Sequence, residues 1–216
     1  NGDVLPITSK PVLARCPFDN SVIPDVMLLF GTGQYVTEGD KTTSETQTFY
    51  GVWDRGVPTL ERVDMLEQLA HDPALTYDQT QIRIPTDNPI DPTSEFGWYM
   101  DLPNSGERVV SNPLVRGDIT FFNTIIPDAG DPCVVGGGGW LMSVRICDGA
   151  RPNEAVFDRT RDNAVDNGDL VADPVLRDGN GNPILNAAGG ERFNQSEGLP
   201  WQSSVLGDRQ YTPGST

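Results

Sequence analysis

A chain of 216 residues is long enough to bury a core as one large domain or two small ones, so it needs neither metal nor disulfides to fold. Hydrophobic residues make up 37% and charged residues 21%, and a net charge of -16 gives an acidic surface that is a poor match for nucleic acid or anionic lipid. The 23 glycines and 18 prolines form nearly a fifth of the chain against an average of about 12%, which favours short strands and many turns over long helices.

The opening residues NGDVLPITSKP carry neither the basic start nor the apolar core of a signal peptide. Strand-length runs then recur at 25–31 (DVMLLFG), 46–54 (TQTFYGVWD), 96–102 (FGWYMDL), 107–115 (ERVVSNPLV), 118–126 (DITFFNTII) and 139–146 (GWLMSVRI). Most are rich in β-branched and aromatic residues and bounded by Gly, Pro, Asn or Asp. Within 59–70, Leu60, Val63, Leu66 and Leu69 recur at helical spacing and predict one short amphipathic helix or turn. Gly117 marks a hairpin turn between 107–115 and 118–126, and Asp101 to Gly106 marks a turn before it, so 96–126 reads as a three-stranded meander. With 139–146 as a fourth strand, the pattern is that of a propeller blade, which needs about 40–45 residues.

The expected fold class is therefore all-β: part of a β-propeller, with blades of antiparallel strands over 1–147 and long loop insertions. A full propeller of about 4–8 blades needs more chain than this. Residues 148–200 are polar and rich in Gly and Asn and read as a long loop region, and 201–216 as a last strand or tail. No run of about 18 apolar residues occurs, so no membrane span is expected. The three cysteines are Cys16, Cys133 and Cys147; the spacing of Cys133 and Cys147 suits a disulfide across a hairpin or folded-back loop, the alternative being free thiols or an outside partner.

The segment FDRTRDNAVDNGDLV, Phe157 to Val171, concentrates carboxylates that repel unless salt or a cation neutralises them. Over 158–169 its oxygens fall in the register of a calcium loop of the EF-hand type: Asp158, Thr160, Asp162, the carbonyl of Ala164, Asp166 and Asp169. Alternate positions are required because consecutive side chains diverge while every second one converges on a single ion. Asn163 stands where the pattern has Gly, and tolerates the same left-handed backbone. Calcium suits this set better than magnesium, which prefers fewer protein ligands. The alternative is a solvated acidic loop. Asp178 to Pro183, DGNGNP, offers further oxygens but reads as a hairpin turn.

Catalysis has little to work with. The single histidine, His71, has no Ser or Cys elbow motif beside it, and no catalytic or organic-cofactor signature is found. Arg116-Gly117-Asp118 spells an integrin-type tripeptide, yet it sits where a hairpin turn is wanted. The glycines of 31–33 and 136–139 lack phosphate-loop spacing and read as places of close backbone approach. Trp53, Trp98, Trp140 and Trp201 read as packing residues.

The stretches LPITSKPV, LLFGTGQYV with TQTFYGVWD, GWYMDLP, GERVVSNPLVRGDITFFNTIIPD, DPCVVGGGGWLM and FDRTRDNAVDNGDLV, in that order, resemble the C-terminal β-propeller of the PilY family, tip-associated adhesins and assembly factors of bacterial type IV pili. The resemblance implies a quinoprotein-like propeller without enzymatic equipment and a calcium loop held through Asp158, Thr160, Asp162, Ala164 and Asp166. The family loop commonly has Asn at the place of Thr160 and Gly at that of Asn163. It further implies that calcium governs pilus extension against retraction, and with it twitching motility. Minor pilins or the pilus tip, and host surface receptors, are the implied partners, and an extracellular position at the tip or outer surface is the implied location. Family members are longer than this chain, so a fragment is expected. Two other readings stand beside it: a quinoprotein-like oxidoreductase, and a structural cell-surface domain.

Overall fold

The computed structural model describes residues 4–17, 26–56, 59–77, 80–128, 137–193, 199–200, 202–206 and 209–211. Ten strands join in one sheet: β1 (Val12–Arg15), β2 (Val26–Gly31), β3 (Thr48–Trp53), β4 (Leu66–Tyr77), β5 (Thr80–Pro85), β6 (Gly97–Asp101), β7 (Leu114–Arg116), β8 (Ile119–Pro127), β9 (Gly137–Arg145) and β12 (Gly190–Phe193). Among the described residues two hairpins form separate two-stranded sheets, β10 (Val171–Arg177) with β11 (Pro183–Asn186), and β13 (Ser204–Leu206) with β14 (Arg209–Tyr211).

The sheet order β1-β2-β3-β6-β4-β5-β12-β9-β8-β7 divides at β4. Leu66–Leu69 of β4 runs parallel to β6, while Ala70–Tyr77 turns to pair antiparallel with β5. On one side of that hinge β1, β2, β3 and β6 form a four-stranded antiparallel unit; on the other β5, β12, β9, β8 and β7 form a second. Alternation along each strand sends one side-chain set inward. Met27, Leu29, Phe49, Trp53, Trp98 and Met100 of the first unit meet Phe122, Trp140, Met142 and Val144 of the second in one buried cluster. Phe49 stacks on Phe122 with centroids 3.8 Å apart, and Trp98 donates from Nε1 to the carbonyl of Ile146 at 2.8 Å. Room for that indole is made by Gly51, where an added Cβ would lie 2.4 Å from the ring.

Charge is buried in the same interior. Arg83 and Glu107, both without exposed surface, form a two-pronged pair at 2.6 and 2.8 Å, with Thr124 donating to Glu107 and the guanidinium 3.8 Å over the ring of Trp140. Removing one partner of such a pair costs about 3–5 kcal/mol, because the other charge stays buried alone.

Five expected strands are present: 25–31, 46–54, 96–102, 118–126 and 139–146 correspond to β2, β3, β6, β8 and β9. The expected turn at Gly117 is also found, with φ of +61° between Arg116 and its partner Ile119. Glycines 137–139 lie within β9, where a Cβ on Gly139 would lie 1.9 Å from the Thr124 carbonyl.

Four expectations are corrected. Residues 59–70 make a 3-10 turn at Arg62–Asp64 and then β4, not an amphipathic helix; Val63 and Leu69 are exposed, so the helical spacing marked no core stripe, and pairing with β6 prevailed. Residues 107–115 are mostly irregular, with a single bridge from Arg108 to Ile125, and the meander fails because β6 belongs to the other unit. The region 148–200 is no plain loop: it supplies β10, β11 and β12, the last inserted between β5 and β9. The disulfide joins Cys16 to Cys147; Cys133 lies outside the described residues.

Candidate metal centre

The acidic loop is anchored by its apolar flanks. Phe157 and Val171 pack with Ile82 and Ile84 of β5 and with Ala188, forming a second, smaller core cluster. Between them, Asp166 caps the short 3-10 turn Asn167–Asp169, its Oδ1 accepting from the amide of Gly168 at 2.7 Å. Asp169 answers with Oδ2, which accepts from the amide of Asp166 at 3.0 Å. Its Oδ1 reaches back to the amides of Arg159 and Thr160, at 2.7 and 2.8 Å. Burial of Asp169 alone would raise its pKa; the amides of Asp166, Thr160 and Arg159 outweigh that and hold it below the ordinary carboxylate value.

Arg161 and Asn163 both adopt left-handed backbone, φ +57° and +69°, which curls 158–164. Within the curl Asp158 accepts the amide of Asn163 on Oδ2 at 3.0 Å, and Asp162 accepts the amide of Ala164 at 2.8 Å. The other oxygen of Asp158, Oδ1, is buried and has no hydrogen-bond partner. A buried carboxylate oxygen without a donor is costly, and a bound cation or an ordered water is the kind of partner that satisfies it.

The expected ligands thus separate into two groups. Asp158, Thr160, Asp162, Ala164 and Asp166 supply hard oxygens suited to calcium, and the orphaned Asp158 oxygen fits such an ion. Asp169, expected as the twelfth-position ligand, has both oxygens on backbone amides and closes the loop from behind. Among the described residues no three acidic, His or Cys side chains are gathered closely enough to form a preformed metal cluster.

Sequence reasoning missed Arg159. It is 6% exposed, and its guanidinium lies 3.2 Å from Glu191 of β12. No local pattern marks a contact 32 residues away, whereas the Asp166-x-x-Asp169 spacing of the reciprocal cap was readable. Of the other motifs, Asp178 to Pro183 is a turn, with the amides of Asn180 and Asn182 on Asp178. His71 lies in β4 opposite Ile84, with its side chain outside the described residues. Trp53, Trp98 and Trp140 are core residues.

An all-β chain of two antiparallel units packed face to face defines a β-propeller-type domain. Its fold matches the crystal structure of the Pseudomonas aeruginosa PilY1 C-terminal domain with a TM-score of 0.74 at 23% identity, over 95% of this chain and 42% of that one. In sequence it is 31% identical over 183 residues, 74% of the chain, to the type IV pilus biogenesis factor PilY1 of P. aeruginosa strains PAO1 and PAK. A PilY1 homologue of Xylella fastidiosa is 33% identical over 131 residues, which is 57% of this chain and 9% of that protein. No family model matches. The chain is a PilY-type sequence that corresponds to the C-terminal domain, and it spans 15% of the length of the P. aeruginosa relatives it matches.

Proposed function

We propose that this chain serves type IV pilus biogenesis as a non-enzymatic, calcium-binding part of a PilY-type protein at the pilus tip or outer bacterial surface. The observation that carries the calcium reading is the buried, partnerless Oδ1 of Asp158 inside a loop of alternating oxygens. The pilus reading is supported by relatives named as pilus biogenesis factors.

When bound, calcium supplies a divalent charge that offsets the mutual repulsion of Asp158, Asp162 and Asp166. The chain contributes the rest. Asp169 accepts the backbone amides of Arg159, Thr160 and Asp166 and so ties the two ends of the loop together, leaving the oxygens between them for an ion to gather. Left-handed backbone at Arg161 and Asn163 curls the segment between those ends. Ordering of 158–166 changes the surface offered to minor pilins, to the pilus tip or to host receptors, and through it the balance between extension and retraction.

The test is thermal unfolding with and without calcium chloride. At free calcium 100 times Kd the stabilisation is about 2.7 kcal/mol, or a rise in Tm of about 5–10 °C for a chain of this size. Asp158→Ala abolishes the rise. An unchanged Tm for the parent protein across the titration overturns the calcium reading.

A further inference from the structure

The strand β12 lies in the interior of the ten-stranded sheet, yet it is short: four residues pair with β9, and only Gly190 and Glu191 pair with β5. So few ladder bonds give little hold on their own. Arg192 adds a contact over the ring of Trp140, and further support comes from the segment that carries the acidic loop. Val171, immediately after the loop, pairs with Asn186, and the buried Ala187 and Ala188 lead with Gly189 directly into β12. Gly189 donates to the carbonyl of Arg83 in β5 and accepts from the amide of Ser143 in β9, at 2.9 and 2.8 Å. Loop, hairpin and inserted strand form one continuous run over the seam between β5 and β9.

The side chain of Arg159 completes the connection. Its backbone amide is held by Asp169 at 2.7 Å while its guanidinium lies 3.2 Å from Oε1 of Glu191, which is itself a β12 residue. Arg159 and Arg161 attract the Glu191 carboxylate, and Asp169 and Asp158 repel it. Arg159 lies in sequence between two of the alternating oxygens, Asp158 and Thr160, so an ion that fixes those two fixes Arg159 as well.

We infer that the acidic loop is a clasp on β12: a cation held at 158–166 fixes Arg159 against Glu191 and keeps β12 closed in the seam between β5 and β9. The clasp rests on the calcium reading above and adds what the ion does to the sheet. Neutralising Asp158 removes a like charge that acts on Glu191, and pinning residues 158–160 holds the backbone from which Arg159 reaches Glu191. Opening of β12 is then linked to release of the ion.

The test is hydrogen exchange on the full chain, read on peptides covering 137–145 and 186–193 in calcium chloride and in chelator, with calcium titration calorimetry alongside. With free calcium at 100 times Kd, exchange in β12 slows by up to about 100-fold in the parent. In Glu191→Gln the slowing falls below about 3-fold while Kd changes by less than about 3-fold, because linkage to the strand is lost and the oxygens of the loop are kept. Arg159→Gln does the same, and it replaces the first variant if that one does not fold. Calcium binding without slowing at β12 in the parent overturns the clasp and leaves the calcium reading standing, as does slowing retained in both variants. No binding by calorimetry and no slowing overturns both.

Discussion

Replacing Asp169 by alanine separates a ligand from a brace. In the folded chain its carboxylate is 2% exposed and accepts three backbone amides, from Arg159, Thr160 and Asp166. A hydrogen bond to a charged acceptor contributes about 1.5–3 kcal/mol when its donor has no other partner, but amides at a loop regain water on truncation. Taking the three together, and allowing for that recovery, the expected loss is about 2–3 kcal/mol, or a fall in Tm of about 5–10 °C. The assay is urea unfolding of the parent and of Asp169→Ala, each in chelator and in calcium chloride. A brace predicts that most of the loss is present in chelator, since the three amides are orphaned with or without an ion. A loss below about 0.5 kcal/mol in chelator, with a large one in calcium, refutes the brace and restores Asp169 to the ligand set.

Two further outcomes are expected. Asp40 is held at a pKa of about 2 by the amides of Thr37 and Val36 and by the side chain of Gln34. Its folded pKa lies below the unfolded value, so its contribution is complete above about pH 4 and is lost as pH falls through about 2. Urea melts from about pH 5 to 2.5 should show a shallower acid decline for Asp40→Asn than for the parent, and parallel declines count against this assignment. The Cys16–Cys147 disulfide closes a separation of 131 residues, so reduction should lower stability by about 2–5 kcal/mol. A non-reducing peptide map should join the peptides of Cys16 and Cys147; a Cys133–Cys147 peptide refutes the pairing.

The parts legible in the sequence are those decided locally. Strands β2, β3, β6, β8 and β9 carry β-branched and aromatic residues between turn formers, and each forms where its own pattern indicates. The Gly117 turn and the Asp178 turn were readable for the same reason. The alternation of oxygens at 158–166 is also written locally, while its use as a calcium site is what the titration above tests. What escaped is decided by partners far along the chain. Leu66 and Leu69 carry helical spacing, yet pairing with Trp98 and Asp101 makes that stretch a strand. GERF at 190–193 has no strand signature and becomes one because β5 and β9 leave a place between them. Cys16 lies 131 residues from its partner, while the nearer Cys133 drew attention by proximity alone. Arg159 and Glu191 are brought together by the place of β12 in the sheet, 32 residues along the chain.

The same disulfide sets how the domain would bear tension. A force applied between residues before Cys16 and residues after Cys147 passes through two sulfur atoms and never loads the backbone between them. The 131-residue separation corresponds to about 430–470 Å of contour length that stretching cannot release while the bond is intact. Strands β2 to β9 are thereby removed from the covalent load path. What is left to carry it is β1, before Cys16, and the chain beyond Cys147, which contains the acidic loop, the β10–β11 hairpin and β12. In an oxidised domain the chain beyond Cys147, with the acidic loop and the Arg159–Glu191 contact, therefore stands in the covalent path of such a force while β2 to β9 do not.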